Sequence, residues 1–365
     1  MKVMTIVGTR PELIKLSRVI PALDSAVDHV LVHTGQNNHP ALSDNIFKDL
    51  GIRAPDVQHP PLGAVPAVHG TALLLSSVDV EFERHKPDAV LILGDTNSCV
   101  AAAYAAKRRK VPLFHMEAGN RCFDERTPEE VNRRIVDHIS DINMPYTEHA
   151  RRNLLAEGIS ADRVIKTGSP TREVIRHYLE QIEARNILMR YNLQPGEYFV
   201  VSAHREENVD DPYRLEILVS TVNQLALQAP TVVSIHPRTA ARLRGTGMFD
   251  QRVIVHEPFG FLDYACLQMR ARCVISDSGT LAEEAAIMGF PAVTIRQAHE
   301  RPEAIEGGTM VMSDIDFTSV DQAIKVVDNT GYVPADYADG NVSRKVVQAI
   351  VSYTDYVNRT VWRKS

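Results

Sequence analysis

The sequence has no excess of basic residues. Its net charge is −6 over 365 residues, so it lacks both the electrostatic footprint of a nucleic-acid binder and a polybasic membrane signal. No apolar run approaches the roughly 18 residues of a membrane-spanning helix. Cysteine is scarce: Cys99, Cys122, Cys266 and Cys273 are scattered, with no C-x-x-C spacing. That argues against zinc and redox motifs, and a disulfide framework does not suit this length. No metal is expected. There is no low-complexity segment and no short repeat. Neither half contains G-x-G-x-x-G, which disfavours a redox dinucleotide. The opening "MKVMTIVGTRPELIKL" does not read as a signal peptide, because its apolar run is short and no small-residue cleavage site follows. The expected location is the reducing cytoplasm.

What is present is a long alternation of short apolar runs and helical patterns. "KVMTIV", "HVLVH", "AVLIL", "VPLFHM" and "RVIKTG" read as strands in the first half, and "YFVVSA", "TVVSIH", "RVIVH", "CVISD" and "AVTIR" in the second. They are nearly continuous in Val and Ile, as strands buried on both faces should be. Helical patterns such as "PELIKLSRVIPAL", "SCVAAAYAAKRR" and "TLAEEAAIM" lie between them. Such alternation predicts α/β architecture with parallel, doubly wound sheets. The length suits two domains, expected at 1–172 and 190–342, with the break in the polar helical stretch between them. "SRKVVQAIVSYTDYVNRTV" reads as a last amphipathic helix. Ligands of such sheets sit beyond the carboxyl ends of the strands, and two such domains face to face would enclose a cleft. The polar residues that follow the strands are therefore the candidates.

After the first strand comes "GTRPE". Gly8 permits a tight turn, and Pro11 and Glu12 suit a first helical turn. Arg10 then sits at a helix N-terminus, where anions bind, and Lys15 follows one turn later. A capped helix start with solvated basic residues is the plain alternative. In "GDTNS", Asp95 stands at a strand end, as a functional carboxylate or as a helix cap. After "VPLF", the stretch "HMEAGNRCFDERTPEEVNRR" carries five carboxylates and four arginines. Glu117 precedes the Ala-Gly-Asn turn, where a carboxylate is costly unless paired or functional. Arg121 and Arg126 are the expected partners, for Glu117 or for an anionic substrate. Thr127, Pro128 and Glu130 have capping-box spacing, which occupies Glu130 and leaves Glu129 to point into the cleft. Glu125, Arg133 and Arg134 read as a solvated helix face, although Arg133 is also a substrate-binding candidate.

In the second half, "AHREEN" puts His204 and Arg205 just past a strand, and "SIHPRT" does the same for His236. In "ISDSGTLAEEAAIMG", Ser278, Gly279 and Thr280 form a small-residue turn into a helix whose N–H groups suit a phosphate. Glu283 and Glu284 lie one turn in, where a carboxylate can bind ribose hydroxyls. "HERPEAIEGGT" adds Arg301, Glu303 and Glu306.

Taken in order, "GTRPE", "HTGQ", "GDTNS", "EAG" with "PEEVNR", "AHREEN", "SDSGTLAEEA" and "ERPEAIEGGT" resemble the non-hydrolysing UDP-N-acetylglucosamine 2-epimerases through nearly the whole chain. The resemblance implies a glycosyltransferase-B-like pair of Rossmann-like domains with an interdomain active site, the final helix (about 343–365) crossing back onto the first domain. It implies cofactor-independent inversion at C2 of a UDP-linked 2-acetamido sugar. The C2 proton leaves together with UDP to give a glycal, then a proton returns to the opposite face and UDP re-adds. Acid/base groups are needed on both faces, with cations and helix N-termini for the departing diphosphate. By position, Asp95, Glu117, Glu129 and His204 match the family's acid/base and electrostatic residues. Arg10 and Lys15 match its basic residues near diphosphate and sugar. Ser278, Gly279 and Thr280 match its phosphate turn, and Glu284 its ribose carboxylate. Arg133, Arg205, His236 and Arg301 complete the expected substrate set. The family's members are usually dimeric, so a homodimer is expected, with a UDP-activated amino sugar as small-molecule partner and neither nucleic acid nor membrane.

The chain departs from the family's common pattern in two places. Leu-Arg-Thr or Leu-Arg-Ser usually follows the Glu-Ala-Gly turn, whereas "GNRCFDERTPEE" here, with "KTGSPTREV", is similar to the subgroup that forms UDP-N-acetyl-L-fucosamine from UDP-2-acetamido-2,6-dideoxy-L-talose. A 6-deoxy sugar presents a methyl, which an apolar residue such as Phe123 would suit. UDP-GlcNAc/UDP-ManNAc epimerisation is the alternative. A UDP-sugar glycosyltransferase, a hydrolysing epimerase and a non-catalytic UDP-sugar sensor rank below it. In "HTGQNNHPALS", Asn37 stands where activator-dependent members have His, so no activator requirement is expected.

Overall fold

The computed structural model describes residues 1–36, 46–63, 65–235, 237–243, 249–328 and 332–364. Two of the sequence readings, His236 and the Asn37 loop, lie outside the described residues. The chain divides into two units, Met1–Val174 with Asp339–Ser365, and Ile175–Ala338.

Unit 1 is built on a sheet of β1 (Lys2–Val7), β2 (Asp28–His33), β3 (Val57–Gln58), β4 (Ala89–Leu93), β5 (Leu113–Met116) and β6 (Ile142–Met144). Their order is β3-β2-β1-β4-β5-β6, and every pair is parallel. Unit 2 repeats the plan with β7 (Phe199–Ser202), β8 (Thr231–Ser234), β9 (Val253–His256), β10 (Cys273–Ser276), β11 (Ala292–Thr294) and β12 (Met310–Met312), in the order β12-β11-β10-β7-β8-β9. Both are doubly wound, Rossmann-like sheets, as the strand–helix alternation implies. In each, strand order reverses between the first and fourth strands, so the switch points lie at β1/β4 and β7/β10.

The central strands are apolar throughout because helices cover both faces. All five residues of β4 are buried. Met4, Ile6, Val90 and Ile92 pack with Val78, Phe82 and the Ala-rich helix Asn97–Arg108. In unit 2, Phe199, Val201, Ile275 and Val293 pack against Leu218, Val222 and Leu225 of the helix Pro212–Gln228. The helix Val342–Thr360 packs on the helix Val19–Ala26 of unit 1.

The structure corrects two expectations. "RVIKTG" is not a strand: Val164 makes a single parallel bridge to Asn143. Ile165 and Thr167 donate to the carbonyls of Asn143 and Pro145 at 2.9 and 3.1 Å, but Pro145 has no N–H to return the next bond, so the ladder stops. The sixth strand is instead "INM", too short and too polar to stand out. The helix expected over "PELIKLSRVIPAL" is two helices, Arg10–Leu16 and Val19–Ala26.

Candidate active site

At the switch point of unit 1, the loops after β1 and β4 are tied together by Glu12. Its side chain is buried. Oε2 accepts the N–H groups of Gly8 and Thr9, both at 2.7 Å, and Oε1 accepts the Thr96 hydroxyl at 2.9 Å. Burial raises its pKa, against the pull of these donors. Glu12 is therefore more than a dipole partner. It fills from within the position beside the β1 loop where the sequence suggested an external anion. The turn is so close that a Cβ at Gly8 would collide with Ser98 Oγ and Thr34 Oγ1. Those hydroxyls bond each other at 2.7 Å, and Gln36 Oε1 accepts from Ser98 N–H and Oγ. Arg10 is half-buried at the start of its helix.

Asp95 and Glu117 follow neighbouring strands, just beyond the register pair Leu93–Met116. Glu117 has a left-handed backbone with φ 66°. A charged residue seldom adopts this conformation unless its surroundings impose it. Its carboxylate is ion-paired with Lys15, both side chains being about nine-tenths buried (11% and 7% exposed). The Lys15 ammonium also lies 5.8 Å from the centre of the Tyr146 ring. The expected partners of Glu117, Arg121 and Arg126, are engaged elsewhere. Arg121 is buried and bonds Asp137 at 2.7 Å and Glu157 at 2.6 Å. Arg126 is exposed and bonds Asp124 at 2.7 Å. Lys15, which the resemblance matches to a basic residue near diphosphate and sugar, thus pairs with a carboxylate of the site.

Arg133 is not part of a solvated face. It is buried, and it bonds Asp95 Oδ2 through Nε at 3.0 Å and Nη2 at 2.5 Å, and Glu130 at 2.9 Å through Nη1. Glu130 forms no capping box with Thr127. It accepts the N–H groups of Cys122 at 3.0 Å and Phe123 at 3.3 Å. Burial would raise its pKa, but the Cys122 N–H and Arg133 hold it below the usual range. Glu129, its neighbour, is half-buried on the first turn of the helix Pro128–Ile139. His115 Nδ1 lies 3.0 Å from Asp137 Oδ1, its Nε2 bonds the Gly94 carbonyl at 2.9 Å, and Asp137 accepts the Gly119 N–H at 3.1 Å. This fully buried network holds the turn beyond Glu117 against the loop that carries Asp95. Asp137 stays below its usual pKa despite burial because His115 and Arg121 face it.

Unit 2 uses the same device. Asp277, directly after β10, is fully buried and accepts the N–H groups of His204 and Arg205 at 3.0 Å. It also faces His204 Nδ1 at 3.1 Å and accepts from Asn208 at 3.1 Å. A carboxylate on Nδ1 fixes the orientation of the half-exposed His204 ring. Burial alone would raise the Asp277 pKa, yet His204 and the backbone donors pull it down to about 2. Ser278, Gly279 and Thr280 form the turn into the helix Leu281–Met288, with the two hydroxyls 3.1 Å apart. Arg301 is buried under this turn. It donates to the Gly279 carbonyl, to Glu283 at 2.7 Å and to Glu300 at 3.1 Å, so it holds the turn rather than standing in solvent. Glu284 accepts from Gln268 at 2.8 Å.

The sequence reading therefore overlooked Glu12, Asp137 and Asp277 as organising groups. Only Asp277, directly after β10 and followed by Ser-Gly, carries a strand-end signal; Glu12 lies in the helix after β1, and Asp137 lies within the helix Pro128–Ile139. His115, inside "VPLFHM", carried no such signal. Among the described residues no His/Cys/Asp/Glu cluster suits a metal ion, no helix is long and apolar enough to cross a membrane, and all four cysteines are free and buried.

Comparison with known proteins adds to this geometry. The family model described as UDP-N-acetylglucosamine 2-epimerase matches residues 22–351. The chain is similar to the solved UDP-N-acetylglucosamine 2-epimerase of Rickettsia bellii, with 46% identity, a TM-score of 0.91 and 100% of both chains covered. It is also similar to the Methanocaldococcus jannaschii UDP-GlcNAc 2-epimerase solved with UDP-GlcNAc and UDP: 31% identity, TM-score 0.90, 97% of this chain and 100% of that one. The UDP-2,3-diacetamido-2,3-dideoxy-D-glucuronate 2-epimerase of Pseudomonas aeruginosa is 35% identical over 319 residues, covering 86% of this chain and 88% of that protein.

The Asp277 arrangement has a pH signature. Its folded pKa lies below the ordinary 3.8, so the stability it contributes is complete above about pH 4 and is lost as pH falls toward 2. The shift corresponds to about 2 kcal/mol. Urea unfolding should show the wild type losing about that much more than Asp277→Asn between about pH 5 and pH 2. A stability gap independent of pH would contradict it.

Proposed function

The chain belongs to the UDP-N-acetylglucosamine 2-epimerase family, isomerases of UDP-linked sugars, and within it we propose that the substrate is UDP-2-acetamido-2,6-dideoxy-L-talose, inverted at C2 to UDP-N-acetyl-L-fucosamine. The observation that carries the acid/base assignment is the pair of carboxylates beyond β4 and β5, each bound to its own buried cation: Asp95 to Arg133 and Glu117 to Lys15.

In this reading a carboxylate takes the C2 proton as the C1–O bond breaks and its electrons leave with UDP. That yields the glycal. A second group then returns a proton to the other face of C2, and the UDP oxygen re-forms its bond to C1. Asp95, Glu117 and Glu129 carry the proton traffic, and His204, set by Asp277, stabilises the departing charge. Ser278, Gly279 and Thr280 receive phosphate, and Glu284 the ribose. The β1 and β7 loop amides are already bonded to Glu12 and Asp277, which favours the 278–280 turn for the anion. Arg10, Arg205 and His236 are assigned to substrate. Arg133 and Arg301 act through the carboxylates and the turn they hold.

Two features favour the 6-deoxy sugar. Phe123 stands exposed in the loop after Glu117, and of the two arginines of that loop Arg121 bonds Asp137 and Glu157 and Arg126 bonds Asp124. A methyl suits such a loop better than the C6 carboxylate of a glucuronate. We assign the protein to the cytoplasm as a homodimer. The helices Ala67–His85, Asn97–Arg108 and Pro128–Ile139 pack in sequence and expose Leu73, Val80, Tyr104, Val131 and Ile135, an apolar face of the kind that subunit interfaces cover. A monomeric mass by light scattering would remove that assignment.

Proton NMR in D2O with each nucleotide sugar in turn tests the substrate. The 6-deoxy-L-talose compound should give the fucosamine product with deuterium at C2, and UDP-GlcNAc should remain unchanged. UDP-ManNAc forming from UDP-GlcNAc at a comparable rate would refute the choice, and free UDP accumulating would indicate hydrolysis.

A further inference from the structure

Phe123 combines a strained backbone with an exposed aromatic ring. Its backbone is left-handed, with φ 56°, a conformation that is an outlier for a bulky side chain. Its side chain is nonetheless 73% exposed, so no core packing offsets the strain. Strain of this kind persists only where surrounding groups impose it, and it gathers at ligand clamps.

The imposing group is Glu130. It is fully buried and binds the N–H groups of Cys122 and Phe123 at 3.0 and 3.3 Å. The same carboxylate binds Arg133 at 2.9 Å, and Arg133 binds Asp95. A continuous chain of hydrogen bonds thus fixes the Phe123 backbone relative to a candidate catalytic carboxylate, while its ring projects into solvent. Asp124 and Arg126, which follow it, bond each other at 2.7 Å, leaving the ring as the loop's apolar element.

We propose that Phe123 is a specificity-determining residue whose ring covers the C6 methyl of the bound sugar. This rests on the 6-deoxy reading given above. The ring loses its water only when the sugar is present, so its contribution appears in substrate binding and not in folding. A C6 hydroxyl at the same place would lose water without gaining a partner from the ring.

The test compares UDP-2-acetamido-2,6-dideoxy-L-talose with the same UDP-sugar carrying a hydroxyl on C6. Wild type, Phe123→Leu, Phe123→Ala and Phe123→Asn are assayed on both. Asn tolerates the left-handed backbone, so it separates the ring from the loop. Phe123→Ala and Phe123→Asn should lower kcat/KM for the 6-deoxy sugar by about tenfold or more, mainly through KM. The 6-hydroxy sugar should lose much less or gain, so that the preference between the two sugars falls, and Phe123→Leu should keep most of the preference. Equal losses on both sugars, or no change in preference, would overturn the methyl contact while leaving the substrate reading intact. A wild type inactive on the 6-deoxy sugar would overturn both.

Discussion

In each unit one buried carboxylate ties together the two loops of the switch point. Glu12 joins the β1 loop to the β4 loop, and Asp277 joins the β10 loop to the β7 loop. A parallel, doubly wound sheet brings the amides of these loops to one place, and buried amides must be bonded. A protein carboxylate satisfies them permanently, where a bound phosphate would satisfy them only when present. The loops are thereby held close and rigid before any ligand arrives. The polar side chains they carry inherit that rigidity.

The rest of the site follows from the same constraint. Burying a carboxylate beyond a strand is costly unless it is paired and hydrogen-bonded. Glu117 and Asp95 are offset by Lys15 and Arg133. Glu130 then takes up the remaining capacity of Arg133 and uses its other contacts to fix the 122–123 backbone. The density of opposed charge after β5 is thus a set of interlocking pairs. Some of these, Arg121 with Asp137 and Arg301 with Glu283, hold turns. Others hold Asp95 and Glu117, the carboxylates proposed for the chemistry.

Much of this was legible from the sequence, and the omissions have physical reasons. Strands such as "AVLIL" and "CVISD" are visible because burial on both faces demands an unbroken apolar run. "INM" is not visible, because it is three residues long with a buried Asn143 that bonds the Asp137 carbonyl. "RVIKTG" has the composition of a strand, but its neighbour Pro145 cannot continue the ladder. Strand-end positions alone are enough to single out Asp95, Glu117 and His204 as candidates. The partners themselves were misread, since spacing along the chain favoured Arg121 or Arg126 for Glu117. The true partner, Lys15, comes from a helix 102 positions away in sequence, and only the β1–β4–β5 order brings it near.

The most direct test is the rate at which C2–H exchanges with D2O in Glu117→Gln, with UDP affinity measured on the same preparation. Gln keeps the size of the side chain but cannot carry the proton. The expected result is exchange slowed by about 10²-fold or more with UDP binding retained. Exchange at the wild-type rate would contradict the assignment of Glu117 to proton transfer and leave its strained backbone and its pairing with Lys15 as features of the fold alone.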